Sequence, residues 1–332
     1  MKETVVSGIR STGHLHLGNY FGAVKNSIRM QEDFNCFFFV ANYHTLTTHP
    51  KQDNLMEQIR QVLVEYLACG IDPEKSTLYI QSDLPETAEM YLLLNMNAYK
   101  GELEKVATFK EKARAQPDNV NAGLLTYPVL MAADILIHKA VKVPVGKDQE
   151  QHLEMTRNFA QRFNHRYGVS YLPEPYAFNY QDELVKVPGL DGSGKMGKSE
   201  GEGNAIFLME EPDEIRRKVM KARTDGGPKQ ENSEMPEEIR NLFTLLRLVS
   251  EPDTVTHFET VYNNCSIRYG DFKKQLAEDI IRFTGPIRER ILELHADHDY
   301  LKKVVKMGRE KAHASGHRTV KEVREIIGIR DI

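Results

Sequence analysis

Thr4-Val5-Val6-Ser7-Gly8-Ile9-Arg10-Ser11-Thr12-Gly13-His14-Leu15-His16-Leu17-Gly18-Asn19-Tyr20 is the stretch on which the fold turns. A strand-like run, Thr4–Ile9, passes through a glycine-containing polar loop into a segment that reads as helix and continues with Gly22-Ala23. Short apolar runs of strand length recur at Cys36–Ala41, Thr77–Gln81 and Ala140–Val145, with helical segments between them. In Asn54–Ala68, Leu55, Ile59, Val62, Leu63 and Tyr66 share one helical face, and Gly70 followed by Asp72-Pro73 stops the run. Strands alternating with helices imply a doubly wound parallel sheet, a Rossmann-like α/β layer. Ligands bind such sheets at the carboxyl ends of the strands, so the loops after the strands should carry the chemistry.

Beyond the glycine-rich stretch Gly189–Gly203 the strand signal fades. Pro212–Arg223, Pro236–Ser250, Tyr269–Phe283, Ile287–His295 and His298–Ala314 read as helices, several opened by Pro or Asp, and Thr224–Glu234 reads as a polar loop. The expectation is two domains, 1–200 α/β and 201–332 all-α. A chain of 332 residues is long enough for both.

Composition narrows the function classes. Hydrophobic residues make up 40% and charged residues 28%, with no run near the ~18 apolar residues of a membrane span. The net charge of −4 argues against indiscriminate coating of nucleic acid, and no DNA partner is expected. Residues 300–332 nevertheless hold nine Lys/Arg against four Asp/Glu, either a footprint for a polyanion or a solvated helix face. Cys36, Cys69 and Cys265 are too few and too dispersed for a disulfide framework or a tetrahedral metal site. No resident metal is expected. The N-terminus has no signal-peptide core, and a reducing cytoplasm fits. The chain has 14 Tyr and 14 Phe but no Trp.

Two motifs carry chemistry. In the first, three glycines leave room for a flat ligand against backbone, and His16 and Asn19 share a face at a helix N-terminus. That end is electropositive and offers unpaired N–H groups, so it suits charge developing on a phosphoryl group. A glycine turn with two capping polar residues is the plainer alternative. The second motif, Gly192-Ser193-Gly194-Lys195-Met196-Gly197-Lys198-Ser199, literally satisfies the phosphate loop pattern GxxxxGK[ST]. Glu200-Gly201-Glu202-Gly203-Asn204 is a poor helix start, however, and a phosphate loop must open a helix. A loop whose Lys195 and Lys198 neutralise a polyphosphate leaving group, or a linker with solvated lysines, reads better.

His16-Leu17-Gly18-Asn19 and Lys195-Met196-Gly197-Lys198-Ser199 resemble the paired HIGH and KMSKS motifs of class I aminoacyl-tRNA synthetases. The likeness is greatest to the tryptophanyl branch and runs through the first 200 residues. Leu124 to Leu136, Val143 to His152, Gly101-Glu102-Leu103-Glu104 and Phe109-Lys110-Glu111-Lys112 are its most specific parts. The helical half has the length and position of an anticodon-binding domain.

The middle segment also reads by itself. Asp134 is a lone carboxylate in an apolar run from Leu124 to Ile137 and must have a partner, backbone amides or a ligand donor. Indole is a large apolar bicycle with one N–H, so its ideal site is an apolar slot ending in one acceptor. The resemblance implies that Asp134 takes that N–H, with Val6, Met131, Val143 and Val145 as walls and His44 in the pocket. It further implies that Tyr127 and Gln149 meet the ammonium and carboxylate of the amino acid. A site built around a hydrogen bond rejects analogues that lack it, which separates tryptophan from tyrosine.

For the nucleotide, the resemblance implies contacts from Arg10, Ser11, Thr12, Gly13, His14, His16, Gly18, Asn19, Gly146, Asp148, Gln149, Lys195, Met196, Lys198 and Ser199. Lys112, with Lys195, Lys198 and Mg²⁺, would hold the pyrophosphate. The implied activity is ligation of L-tryptophan to tRNA(Trp) with ATP as substrate, by a cytoplasmic homodimer. Tyrosyl-tRNA synthetase and a non-catalytic tRNA-binding paralogue are the alternatives. Two positions depart from the pattern: Arg10 stands where the family often has Gln, and Gly197 replaces the first serine of KMSKS.

Overall fold

The computed structural model describes residues 2–11, 13–48, 52–146, 149–180, 186–192, 194–197 and 203–330. The chain opens with β1 (Thr4–Ile9) and then helix α1, built of Leu17–Asn19, a wide π turn Tyr20–Val24 and Lys25–Asp33. Next come β2 (Asn35–Val40), α2 (Gln52–Cys69) and β3 (Thr77–Ile80). They are followed by α3 (Glu86–Asn95), α4 (Ala107–Ala115), α5 (Tyr127–Leu136), β4 (Lys142–Val143), α6 (Glu150–Tyr167) and β5 (Tyr176–Ala177). The later helices are α7 (Pro212–Lys221), α8 (Glu237–Val249), α9 (Pro252–Asn263), α10 (Tyr269–Ala296) and α11 (His298–Ile327).

The five strands form one parallel sheet in the order β3-β2-β1-β4-β5. The chain fills one side of β1, then the other, so the crevice at the carboxyl ends of β1 and β4 is the topological switch point. Alternation along each strand divides the core between the faces. Val5, Cys36, Phe38, Val40, Leu78 and Ile80 join one apolar cluster. Val6, Phe37, Phe39, Tyr79 and Val143 join the other. Both faces being covered explains why β2 reads as an unbroken apolar run.

The first cluster continues from α1 and α2 into Ile215, Phe243, Phe272 and Ile291 of the later helices, so sheet and helical half share a core across residue 200. Helix α11 starts on that face with Leu301 and Val304 and ends on the other with Ala312, Val320 and Val323. It crosses the sheet beside β3, and Gly308 marks the crossing: a Cβ there would lie 1.7 Å from the Leu78 carbonyl oxygen.

Several boundaries differ from the sequence reading. Ala140–Val145 contributes only Lys142–Val143 as strand, and β5, two residues long, has no sequence signal. Tyr269–Phe283 and Ile287–His295 are one helix through Pro286. Proline removes one helical hydrogen bond, but Ile280 and Thr284 before it and Ile291 and Leu294 after it are buried, and packing holds the helix together. Helix α9 was not expected, and α11 runs thirteen residues past Ala314.

Candidate active site

The switch-point crevice is a cavity of about 480 Å³. Parallel register sets Ile9 level with Val40, and Val40 level with Ile80, so the residues just after β1, β2 and β3 emerge together. From β2 this brings His44, and from β3 Gln81, onto Asp134 of α5. The His44 Nε2–H donates to Asp134 Oδ2 at 2.7 Å, and Gln81 Nε2 donates to Oδ1 and Oδ2 at 2.8 and 2.9 Å. The carboxylate is 1% exposed yet lines the cavity. Its anchors are therefore side chains, not backbone amides. Val6, Phe39, Met131, Ile135, Val143 and Val145 supply the apolar walls.

Tyr127, at the start of α5, stands at the polar end. Its ring lies 4.4 Å from the His44 ring and 5.6 Å from that of His152. Two cations face the same ring, Arg10 at 5.7 Å and Lys112 at 5.0 Å from its centre, and the Arg10 guanidinium reaches the Tyr127 hydroxyl at 3.4 Å. Burial, and after it the neighbouring guanidinium, lower the Lys112 ammonium from its ordinary pKa. Two like charges brought together at the mouth of a pocket favour an anion between them. Gln149 accepts from His152 Nδ1–H at 3.0 Å, and Thr108 donates to His152 Nε2 at 2.8 Å, which fixes the edge where Gln149 and Gly146 line the cavity.

The histidine loop lies beside this cavity. Gly13 takes φ +83°, a left-handed backbone suited to glycine. Leu15 N–H donates to Glu65 Oε2 at 2.5 Å, and His14 Nδ1–H to Glu65 Oε1 at 3.0 Å. Asn19 caps its own turn by accepting the His16 N–H at 3.1 Å. A Cβ at Gly18 would lie 2.8 Å from His16 Nδ1 and 3.4 Å from Met196 Cβ, so only glycine lets the imidazole fold back there while the lysine loop comes alongside. The Ser11 hydroxyl is hydrogen-bonded to Thr45 at 2.9 Å and wholly buried.

The lysine loop is tied down on both sides. Met196 is buried, and its N–H donates to Val187 O at 2.8 Å. Asn204 Nδ2 reaches Lys195 O at 3.3 Å, and the Asn204 side chain occupies the space a Cβ at Gly189 would need. Immediately afterwards the chain returns to the histidines. Leu17 N–H donates to Ile206 O, Leu208 N–H to Leu15 O, and Phe207 bridges to His16 with its ring edge-on to both His14 and His16. Underneath, the buried Lys218 ammonium pairs with Glu210, donates to Ala205 O and faces the Phe207 ring.

Of the residues named from sequence, Val6, Arg10, His44, Lys112, Tyr127, Met131, Asp134, Val143, Val145, Gly146 and Gln149 line one cavity. His14, His16, Gly18, Asn19, Lys195 and Met196 belong to the two adjoining loops. Thr12, Asp148, Lys198 and Ser199 lie outside the described residues. The sequence reading missed Gln81, His152, Glu65, Asn204 and Phe207. Glu65 had a signal, one carboxylate inside Val62-Leu63-Val64-Glu65-Tyr66-Leu67; Gln81 had another, a polar residue at the end of a strand.

A model of the family described as tRNA synthetases class I (W and Y) matches residues 2–285. The chain belongs to that family. A tryptophan–tRNA ligase of Porphyromonas gingivalis is 63% identical over 328 residues, 99% of this chain and 100% of the relative. A tryptophan–tRNA ligase of Rickettsia felis is 42% identical over 331 residues, 99% of each chain. Among solved structures, the tryptophanyl-tRNA synthetase of Campylobacter jejuni complexed with ADP and tryptophan superposes with a TM-score of 0.87. It is 32% identical, with 98% of this chain and 99% of that one covered. As in other class I synthetases, the parallel sheet is Rossmann-like, and the expectation of that fold holds.

Proposed function

We propose that the chain is a tryptophan–tRNA ligase that activates L-tryptophan with ATP and transfers it to the terminal adenosine of tRNA(Trp). The observation that carries this reading is the apolar slot ending in Asp134. Its carboxylate is held by His44 and Gln81, yet it still faces the cavity and can accept one further N–H. An indole fills such a slot and supplies that donor; a phenol offers its polar group at a different position.

In the first step the tryptophan carboxylate attacks the α-phosphorus of ATP. The bond to the β-phosphate breaks and pyrophosphate leaves. Arg10 and Lys112, crowded against Tyr127, draw the reacting anion to the polar end of the slot. His14, His16 and Asn19 face the adenosine and α-phosphate, Lys195 and Lys198 hold the pyrophosphate, and Mg²⁺ enters as part of the nucleotide substrate. Catalysis is by positioning and electrostatics, with no covalent enzyme intermediate. Closure of the loop that carries Lys195 and Lys198 completes the site.

Residues 1–200 form the catalytic part in this reading, and residues 201–332, with the basic stretch 300–332, read the anticodon. Exposed Leu92, Met96 and Tyr99 support a homodimer. No helix among the described residues is long and apolar enough to cross a membrane, and the cytoplasm is the proposed compartment.

Because the chain contains no tryptophan, indole emission from a purified sample comes from ligand alone. Titration should give a saturable emission change. Asp134→Asn should weaken tryptophan binding roughly 10- to 100-fold, the worth of one hydrogen bond to a charged group, with the KM for ATP nearly unchanged. Equal losses for both ligands, or ATP–pyrophosphate exchange driven by tyrosine instead, would overturn the reading.

A further inference from the structure

Glu65 is a carboxylate in the middle of α2 with no exposure at all, flanked in sequence by Val64 and Tyr66, which are also buried. A buried carboxylate is costly unless donors satisfy it. Three do: Leu15 N–H at 2.5 Å, His14 Nδ1–H at 3.0 Å and Gln61 Nε2 at 2.7 Å. Only Gln61 belongs to the helix that carries Glu65. The other two belong to the loop between β1 and α1, fifty residues earlier in the chain.

The geometry has a direction. Glu65 takes the inner nitrogen of His14, so the outer nitrogen, Nε2, faces away from the core; the His14 side chain is 52% exposed. The hold on Leu15 N–H fixes the peptide immediately before His16, whose own N–H is capped by Asn19. The Phe207 ring lies edge-on to both imidazoles. The loop is therefore held by the Glu65 carboxylate and the Phe207 ring, with Leu17 N–H and Leu15 O tied to Ile206 and Leu208.

We propose that Glu65 is a positioning residue for adenylate formation: it acts through His14 and the Leu15 peptide to present the imidazole and the N-terminus of α1 to the nucleotide. The proposal rests on the adenylate-forming reading above. It does not depend on which amino acid is activated, because Glu65 contacts the nucleotide-side loop and lines no part of the Asp134 cavity.

The test is steady-state ATP–pyrophosphate exchange with Glu65→Gln, His14→Gln and the double variant, beside Gln61→Leu. Glutamine at 65 keeps one acceptor but cannot serve the same three donors. Glu65→Gln should raise the KM for ATP about tenfold, the worth of a hydrogen bond to a charged group, and leave the KM for the amino acid within about twofold. His14→Gln should do the same, and the double variant should be no worse than the more impaired single one, because the two act as a unit. Gln61→Leu removes a partner of Glu65 without touching the loop, and should cost thermal stability with the KM for ATP unchanged.

Independent, multiplying effects at 65 and 14, or equal rises in both KM values, would make Glu65 a structural acid and overturn the proposal. If Glu65→Gln does not fold, His14→Gln decides: its side chain is half exposed, and an unchanged KM for ATP would refute the idea. No exchange by the unaltered chain with any amino acid would instead overturn the functional reading.

Discussion

His138, just past α5, is stacked on Phe37 with ring centres 4.0 Å apart. It is hydrogen-bonded through Nε2 to the Tyr79 hydroxyl and through Nδ1 to Ser315 of α11, each at 3.0 Å. Burial pushes its pKa down to about 3. In the unfolded chain this imidazole takes up a proton near its ordinary value of ~6.5. Between those two values the unfolded state binds more protons, so stability rises with pH across the window. The contribution is fully present above ~6.5 and is lost progressively as the pH falls below it. Urea midpoints should therefore drop between pH 7 and pH 5, and His138→Gln, less stable at pH 7, should lose less over the same interval. Parallel curves for the two proteins would show that another group titrates. Residues of this kind are half legible in sequence. Asp134 stands out as one carboxylate in an apolar run. That His44 and Gln81 are its partners is not legible, because only the level ends of β2 and β3 bring them to it.

Among the elements, α11 shows a familiar rule reversed. Replacing a glycine inside an exposed helix by alanine usually stabilises it by about 1 kcal/mol. At Gly308 the added methyl would lie 1.7 Å from the Leu78 carbonyl oxygen, an atom of β3 that cannot step aside. Gly308→Ala should therefore destabilise, by roughly 1–3 kcal/mol or more as overpacked cores do. At Gly316 the nearest atoms are side-chain carbons of Leu84 and Ile137, at 3.0 to 3.3 Å, which can rotate. Gly316→Ala should be much milder, and thermal melts of the two variants compare them directly. Equal effects would mean that α11 does not depend on its close seat. Helical spacing and proline placement make α7 and α8 readable, whereas Pro286 hides the continuity of α10 and the seat of α11 is invisible to them. A glycine inside a helix pattern shows only that a side chain is missing, not what has come close instead.

For the molecule as a whole, the Rossmann-like sheet was legible from strands alternating with helices, and the helical second half from its loss of strand signal. The shared core was not. Ala205 to Leu208 return to pair beside Leu15 and Leu17, and the later helices pack on the same sheet face. Long-range returns of this kind leave no periodic trace. A chain ending at Asp297 should accordingly be poorly soluble, since it lacks the helix that lies against β3. The soluble fraction and light scattering after expression would test this; a stable, monomeric, fully folded product would contradict it.

The position of α11 also sets a timetable for biosynthesis. β3 is the outermost strand on its side of the sheet, and the helix beside it begins at His298. At the usual rate of roughly 5–20 residues per second, the ribosome takes on the order of 10–40 s to travel from one to the other. Throughout that interval the nascent chain has an unpaired strand edge of the sort that recruits other chains. Translation of this protein thus includes a vulnerable period whose length is set by ribosome speed, and slow elongation prolongs it. A premature stop near the 3′ end of the message would leave the residues that line the Asp134 cavity intact while making the product a substrate for chaperones and proteases.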